Sequence, residues 1–266
     1  MNTLKLLHPQ LDAYTVRFKE SLLDEIRDSY HRELAPVLKN PRNQYLFQGG
    51  RTHRARIGKS GSYFALSFES YPLLWFSNND ADTYAIFRRF FNSLALENEI
   101  RKLVDCREKV ILYCGFLVIG DRAPSPQWHC DYAPGANAFT LITPLFELDP
   151  GHGHLLYRPG EGASEVPAQR YQYTPGEAIF FGEKTAHTTE PYAPSTKKRI
   201  LVSLTFGTDK LEYWPHLKES LDTQAQYFVL PCGHVYGSCK CLKTSMLASL
   251  GRWVQRRIVP VSDITS

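Results

Sequence analysis

Short apolar runs separated by glycine- and proline-containing turns fill the chain from about residue 109 onward. The segment 109–119, KVILYCGFLVI, is almost continuously apolar and predicts a buried strand. Further strands are predicted at 138–148, 153–157, 177–181 and 199–206. Turn signals stand between them, among them DPGHG at 149–153 and Pro175-Gly176. Short strands in this arrangement favour a jelly roll, so the sequence predicts a mainly β protein.

The first hundred residues show a different pattern. Leu11 to Leu38 carries apolar residues at approximate helical spacing and predicts a helix, which Pro36 would interrupt or end. Asp80 or Asp82 can cap a second helix that runs through 83–104. The sequence therefore predicts helical additions, with the N-terminal helices packed on the β core.

The length of the chain fits one domain. A β-rich domain of 266 residues can bury a substantial core without a second domain. We expect a single domain over 1–266, made of an N-terminal helical and extended region at 1–108, the β core at 109–209 and a C-terminal extension at 210–266.

Composition narrows the possible partners. The formal net charge of +4 is too small to indicate a nucleic-acid partner. No apolar run approaches the roughly 18 residues that a membrane span needs, and the N-terminal sequence lacks the apolar stretch of a signal peptide. Six cysteines without regular spacing suggest reduced thiols. We therefore expect a cytoplasmic protein with no nucleic-acid or membrane partner.

The candidate chemistry begins in QWHCDY, where His129 and Asp131 stand two residues apart. In an extended strand, residues i and i+2 project to the same face, so these two side chains would lie together while Cys130 points away. A His-x-Asp pair is common by chance and needs further ligands. Two imidazoles and one carboxylate form the facial triad of non-haem iron enzymes, which leaves neighbouring metal positions open.

His187 and Arg199 supply the missing context. His187 follows a turn and a short strand, TPGEAIFFGEK, and can complete the triad. In RILVSLTF the side chains of Arg199, Leu201 and Ser203 share one face. A guanidinium can bind a carboxylate through two parallel hydrogen bonds, whereas Lys197 offers a point charge in a loop. Arg199 is therefore favoured as a carboxylate anchor.

With these residues, the stretch from about Val110 to Asp209 resembles the double-stranded β-helix (jelly-roll, cupin-like) core of the Fe(II)- and 2-oxoglutarate-dependent oxygenases. It is most similar to their phytanoyl-hydroxylase-like, small-molecule hydroxylase branch. The resemblance implies that His129, Asp131 and His187 bind Fe(II) and that Arg199 holds the distal carboxylate of the cosubstrate 2-oxoglutarate.

Two hydroxyl residues are further candidates for cosubstrate binding. The family often places serine or threonine two residues after the arginine, where this chain has Leu201, and Ser203 lies two residues further on the same face. Thr140 or Thr143 could also donate a hydrogen bond, and strand alternation lets only one of them face inward.

The resemblance implies an enzyme that consumes O2 and hydroxylates an unactivated C–H bond, releasing succinate and CO2. The substrate would be a small molecule, such as an amino acid or a natural-product intermediate. Halogenases of this superfamily lack the carboxylate ligand, so Asp131 favours hydroxylation. Two alternatives stay open: a cupin-like metal-binding protein, and an iron dioxygenase that does not use 2-oxoglutarate. Arg199 discriminates, because a site that binds only metal has no need of a guanidinium.

Substrate contacts are expected from residues before and beside the metal pair. Region 48–71 reads as extended and turn-rich, and there Arg51 and Arg54 can bind an anionic group or belong to a solvated loop. Trp128 and Tyr132 flank the metal pair and can line the pocket or pack in the core. The aromatic run that includes Trp75 is expected to be packing.

Two further clusters have metal-binding residue types. His152 and His154 lie in a glycine-rich turn, and we expect exposed turn residues there. The C-terminal extension contains a C-x-H-x4-C-x-C cluster made of Cys232, His234, Cys239 and Cys241. The cluster lacks the usual C-x2-4-C spacing of structural zinc sites, so inert thiols in a turn are favoured over zinc.

Overall fold

The computed structural model describes residues 3–8, 11–47, 52–58, 60–68, 71–160, 166–242 and 262–264. Its strands are β1 (Lys5–His8), β2 (Ala13–Arg17), β3 (Arg54–Ile57), β4 (Tyr63–Phe68), β5 (Tyr71–Asn78), β6 (Ile111–Gly120), β7 (Ala138–Pro144), β8 (Leu155–Pro159), β9 (Gln169–Tyr171), β10 (Glu177–Phe181), β11 (Thr185–Thr189), β12 (Arg199–Gly207) and β13 (Ser262–Ile264). Within these residues they form a ten-stranded sheet, β1-β2-β10-β7-β12-β6-β5-β4-β3-β13, and a three-stranded sheet, β11-β8-β9.

The centre of the molecule is a double-stranded β-helix. Strands β10, β7, β12 and β6 pair antiparallel at the middle of the large sheet. From β6 onward the chain passes back and forth between the two sheets. Isolated bridges between Ala123 and Tyr192, and between His129 and His187, extend the small sheet by one irregular segment. This winding confirms the predicted fold class. Every residue of β6, β7 and β12 is buried, as a strand covered on both faces requires.

The N-terminal region widens the large sheet at both edges. The prediction of a helix from Leu11 was wrong in its first part, because Ala13–Arg17 is β2 and pairs with β10, with Val16 opposite Ala178. The pairing partner that β10 offers outweighs the weak helical spacing. Region 48–71, predicted to be extended and turn-rich, contains β3 and β4, and β5 begins at its end; the three strands extend the sheet from β6.

Five α-helices lie among the described residues: α1 (Asp24–Ser29), α2 (Ala35–Lys39), α3 (Ala81–Ser93), α4 (Glu97–Ile100) and α5 (Trp214–Gln224). A π-helical turn at Tyr30–Leu34 joins α1 to α2. Pro36 does not end the helix, because it sits in the first turn of α2, where its missing N–H is not needed. The helix ends at Lys39.

Helix α3 begins where the sequence places it. The Asp80 side chain accepts a hydrogen bond from the Thr83 amide at 2.7 Å, which confirms Asp80 as the cap. The predicted helix divides into α3 and α4, with Ala95 between them at a φ of 51°. Gly115 of β6 lets α3 pack closely, because a Cβ at this position would collide with the Phe87 ring. No helix among the described residues is long and apolar enough to cross a membrane.

Candidate metal centre and its cavity

His129 and His187 are brought together by the backbone. The His129 amide donates to the His187 carbonyl at 3.1 Å, and the His187 amide donates to the His129 carbonyl at 2.9 Å. Residues paired directly across two antiparallel strands project their side chains to the same face. His187 lies in β11, and the bridge fixes the loop that carries His129 beside it. Two distant sequence positions therefore present adjacent imidazoles.

Asp131 completes a cluster of three ligand atoms. The Nε2 atoms of His129 and His187 each lie 3.5 Å from Asp131 Oδ1, and the two ring centroids are 4.3 Å apart. All three ligand atoms lie within 4.8 Å of one another. This is the arrangement expected of ligands on one face of a metal, with the other face open to the cavity.

The backbone selects the imidazole tautomer that can bind metal. Nδ1 of His129 lies 2.9 Å from the Gln127 carbonyl, and Nδ1 of His187 lies 3.4 Å from the Thr185 carbonyl. A carbonyl oxygen only accepts, so each Nδ1 carries the proton and each Nε2 keeps its lone pair for the metal. The residues present thus fit a divalent metal with open coordination positions.

Burial and mutual charge set the protonation of the cluster. Burial lowers the pKa of His187 to about 4, so this imidazole is neutral at physiological pH. Burial acts to raise the pKa of Asp131, but the two histidines and the Thr140 hydroxyl outweigh it and hold that pKa well below its usual range. Burial also acts to lower the pKa of His129, and the Asp131 carboxylate outweighs it and raises that pKa. An ionised carboxylate beside a neutral imidazole is what metal binding requires.

A hydroxyl relay holds the Asp131 carboxylate in place. Thr140 of β7 donates to Asp131 Oδ2 at 2.5 Å, because the ionised carboxylate can only accept. The Thr140 oxygen must then accept from the Tyr132 hydroxyl, which lies 2.7 Å away. The expected role of Thr140 in binding cosubstrate therefore changes: the structure directs its hydroxyl to a metal ligand. Tyr132 likewise lies in the core behind Asp131 and does not line the cavity.

Replacing Thr140 with valine should lower the affinity for divalent metal by about 10- to 100-fold, the usual cost of losing a hydrogen bond to a ligating group. The size of the side chain is kept, so the loss would come from the hydroxyl. The measurement is competition with a chromophoric chelator. Thr143→Val is the matched control, because Thr143 lies on the same strand and donates to the Glu177 carbonyl. An equal loss of affinity in both variants would contradict the relay.

Arg199 is the largest of the fully buried residues that the structure describes and is only 1% exposed. Its Nη1 donates to the Gly153 carbonyl and its Nη2 to Thr189 Oγ1, both at 2.9 Å. Its Nε is buried without a hydrogen-bond partner. No carboxylate forms an ion pair with it among the described residues. A buried cation that lacks a counter-ion is costly, so the arrangement calls for an anion from outside the chain.

Backbone geometry brings Gly153 against this guanidinium. A Cβ at Gly153 would collide with the Glu190 carbonyl, so the close approach requires glycine. The aromatic rings of Tyr173 and Tyr192 lie 6.0 and 5.8 Å from the guanidinium carbon. These contacts orient Arg199 without neutralising its charge.

The triad and Arg199 line one cavity of about 360 Å³. Its apolar wall consists of Phe68, Leu73, Trp75, Val118, Ile142, Leu155 and Leu201. Its polar lining consists of Gln127, Thr189, Ser203 and Gln224, beside Trp128, Tyr173, the triad and Arg199. The size and the mixed lining are typical of a small-molecule site.

The other predicted site residues fall in different places. Ser203 and Trp128 line the cavity, and the Arg158 guanidinium lies 4.3 Å from the Trp128 ring centroid. Arg54 lies in β3 and is not part of the cavity lining. Arg51 lies outside the described residues. Lys197 forms an exposed ion pair with Asp149 at 2.9 Å, so it does not compete with Arg199 for the cavity.

The expectation of exposed histidines at 152 and 154 was wrong. His152 is 4% and His154 7% exposed. His152 Nε2 lies 3.1 Å from the Lys197 carbonyl, and His154 Nδ1 accepts from the Tyr173 amide at 3.0 Å. The two imidazoles satisfy the backbone at Lys197 and Tyr173, and the turn that carries them is folded inward beside Arg199, which composition alone does not show.

Several residues of the site had no local sequence signal. Thr189 and the Gly153 carbonyl hold Arg199, and the Thr185 carbonyl fixes the His187 tautomer. Trp75, expected to be packing, lines the cavity with Phe68, and their ring centroids are 5.0 Å apart. Only Thr189 could have been found from the sequence, because it lies two residues from His187 in a strand and its side chain therefore shares the same face.

No family model matches the chain, and no curated protein matches it. Similar solved structures include the non-haem α-ketoglutarate-dependent epimerase SnoN of nogalamycin biosynthesis, with a TM-score of 0.49 and 14% identity over 75% of this chain and 79% of that one. HygX from Streptomyces hygroscopicus, solved with nickel and 2-oxoglutarate, has a TM-score of 0.48 and 11% identity over 75% and 84% of the two chains. A Pseudomonas putida prolyl-4-hydroxylase has a TM-score of 0.41 and 11% identity over 74% and 93%.

Proposed function

We propose that the chain is an Fe(II)- and 2-oxoglutarate-dependent oxygenase that hydroxylates an unactivated C–H bond of a small molecule. The observation that carries this proposal is the buried Arg199 guanidinium, with its unpartnered Nε, in the same cavity as His129, Asp131 and His187. The ligand set favours a metal with open positions, and the guanidinium favours a carboxylate near it.

The two alternatives explain only part of this cavity. A cupin-like metal-binding protein, or an iron dioxygenase without 2-oxoglutarate, would use the triad but would leave Arg199 buried and uncompensated. A dicarboxylic 2-oxo acid accounts for both features, because one end can chelate the metal while the distal carboxylate pairs with the guanidinium.

The residues divide the work as follows. Bound Fe(II) and 2-oxoglutarate supply oxygen activation and C–H oxidation, with release of succinate and CO2. Asp131 and the two histidines hold the metal on one face, and Arg199 fixes the orientation of the cosubstrate. The apolar wall with Phe68 and Trp75 excludes water and can hold the carbon skeleton of a substrate.

The substrate class follows from the same wall. A cavity of about 360 Å³ that also admits the cosubstrate leaves room for a small molecule. Gln127, Gln224 and Ser203 offer neutral hydrogen-bonding groups for a polar substituent. We propose an amino acid or a natural-product intermediate of similar size.

An anaerobic titration tests the proposal directly. Adding 2-oxoglutarate to the Fe(II)-loaded protein should produce the weak visible charge-transfer band of a chelated 2-oxo acid. 2-Oxopentanoate is the matched control, since it has the same chelating end and lacks the distal carboxylate. We expect it to bind at least about 30-fold more weakly, the equivalent of one lost buried charge pair.

Each outcome has a separate meaning. Normal iron binding without a band would support the alternatives that do not use 2-oxoglutarate. Equal affinity for the two acids would show that Arg199 is not the anchor. A succinate-release screen across amino acids and small metabolites then identifies the substrate.

A further inference from the structure

The C-terminal extension folds its cysteine and histidine residues into one cluster. Cys232 Sγ lies 3.4 Å from Cys239 Sγ, and His234 Nδ1 lies 3.8 Å from Cys239 Sγ and 3.4 Å from Cys241 Sγ. All four ligand atoms lie within 4.8 Å of one another. The sequence spacing favoured inert thiols in a turn, and the structure adds that these thiols converge with an imidazole.

We propose that Cys232, His234, Cys239 and Cys241 form a structural zinc site, separate from the cavity that holds the facial triad. Three thiolates and one imidazole are a ligand set typical of closed, four-coordinate zinc. Soft sulfur ligands select zinc over the oxygen-preferring cations.

The distances agree with a tetrahedron around a single ion. Zinc–sulfur bonds of about 2.3 Å and zinc–nitrogen bonds of about 2.0 Å place two sulfurs about 3.8 Å apart, and sulfur and nitrogen about 3.5 Å apart. The observed separations of 3.4, 3.8 and 3.4 Å lie close to these edges. A disulfide would account for two of the four residues and leave the convergence of His234 and Cys241 without a reason.

The local backbone is built to present these ligands. Val229 and Val235 form a bridge, and the Leu230 amide donates to the His234 carbonyl at 2.8 Å. Gly233 turns the chain between Cys232 and His234 with a φ of 80°, a conformation that favours glycine. The Cys241 amide donates to Cys239 Sγ at 3.3 Å, a contact that stabilises a thiolate.

The spacing of these four residues in the sequence does not match a known zinc motif. Each half of the cluster has one residue between its two ligands, so neither half matches the usual C-x2-4-C pattern. The turns at Gly233 and Gly237, with φ values of 80° and 92°, bring the halves together. The four ligands are therefore brought together by the fold of the chain and not by a C-x2-4-C motif.

A zinc ion here would hold the segment 228–241 in its folded form, and this segment packs against the rest of the protein. Phe228 is fully buried, and its ring stacks on that of Tyr236 with a centroid distance of 4.4 Å. It also stacks on the ring of Trp214, the first residue of α5, with a centroid distance of 5.8 Å. Helix α5 in turn reaches the metal centre, since Ser220 Oγ donates to the Asp131 carbonyl at 2.7 Å and Gln224 lines the cavity. The zinc site would thus support α5 from one side while α5 supports the Asp131 loop.

The test measures zinc in the full chain, purified with a reductant and without chelators. We expect one zinc ion per chain in Asp131→Ala, which disables the facial triad, and also in Asp131→Ala combined with Cys106→Ser, a control cysteine outside both clusters. Combining Asp131→Ala with Cys239→Ser or with Cys241→Ser should remove this zinc. Absence of zinc from Asp131→Ala, or retention of zinc in both serine combinations, would overturn the proposal.

Cobalt substitution gives a readout on the wild type that does not depend on how the variants fold. Co(II) in a tetrahedral site with three thiolates shows intense visible absorption and near-ultraviolet sulfur-to-cobalt charge transfer, whereas a His2Asp site has no sulfur ligand. We expect the sulfur band in the wild type and in Asp131→Ala. No sulfur band, or a Cys232–Cys239 disulfide in the reduced preparation detected by mass, would exclude the zinc site.

Discussion

Asp131→Ala should abolish succinate formation and lower Fe(II) affinity by more than about 100-fold, since loss of a ligand exceeds the cost of losing one of its supporting hydrogen bonds. The variant removes the only carboxylate of the cluster, and two imidazoles alone hold the metal weakly. It also leaves the Thr140 hydroxyl without its acceptor. Competition with a chelator and a succinate assay measure the two effects.

Asp131→Asn separates charge from shape. The amide keeps one oxygen and nearly the same volume, but it cannot supply the negative charge that the lowered pKa of Asp131 maintains. We expect metal affinity between that of alanine and that of wild type, with activity still lost. Asp28→Ala, on the exposed face of α1, is the control. Substrate-dependent succinate formation at the wild-type rate in Asp131→Ala would contradict the metal assignment.

The strand pattern was the most informative part of the sequence. The apolar run at 109–119 became β6, and the alternation of RILVSLTF became β12, with Arg199, Leu201 and Ser203 all lining the cavity. Both are dictated locally, because the burial of a strand face fixes the parity of its residues. The helix start at Asp80 was predictable for a similar reason, since capping is a local hydrogen bond.

What could not be predicted depended on partners distant in sequence. Ala13–Arg17 is a strand because it pairs with the edge of β10, which lies 160 or more residues further along the chain. His154 is buried because the Glu190 carboxylate accepts from its amide and the Tyr173 amide donates to its ring. The cysteine cluster converges through two glycine turns. Local spacing contains none of these contacts.

Arg199→Met should remove 2-oxoglutarate binding while leaving the protein folded. Losing one partner of a buried charge pair costs about 2–5 kcal/mol, roughly a 30- to 4000-fold rise in the dissociation constant. Arg199→Lys keeps the positive charge but loses the planar guanidinium that can bind a carboxylate through two hydrogen bonds, so we expect an intermediate affinity for 2-oxoglutarate. Anaerobic titration of the visible band measures the dissociation constant of 2-oxoglutarate for each variant. Arg17→Met is the control, because the Arg17 side chain is 88% exposed.

Thermal stability distinguishes an anchor from a structural arginine. At a concentration one hundred times its dissociation constant, 2-oxoglutarate should stabilise the wild type by about 2.7 kcal/mol, which raises Tm by about 5–10 °C in a protein of this size. Arg199→Met should lose this shift. Its own Tm should match or exceed that of the ligand-free wild type, because an apolar side chain of similar length replaces a buried charge without a counter-ion.

The opposite pair of results would identify Arg199 as a structural residue. If its hydrogen bonds to the Gly153 carbonyl and Thr189 mainly hold the turn at 149–153 in place, Arg199→Met would lower the ligand-free Tm and keep the shift produced by 2-oxoglutarate. The unpartnered Nε argues against that outcome. A buried donor without a partner is costly, and a carboxylate bound beside the guanidinium would remove that cost by accepting from it.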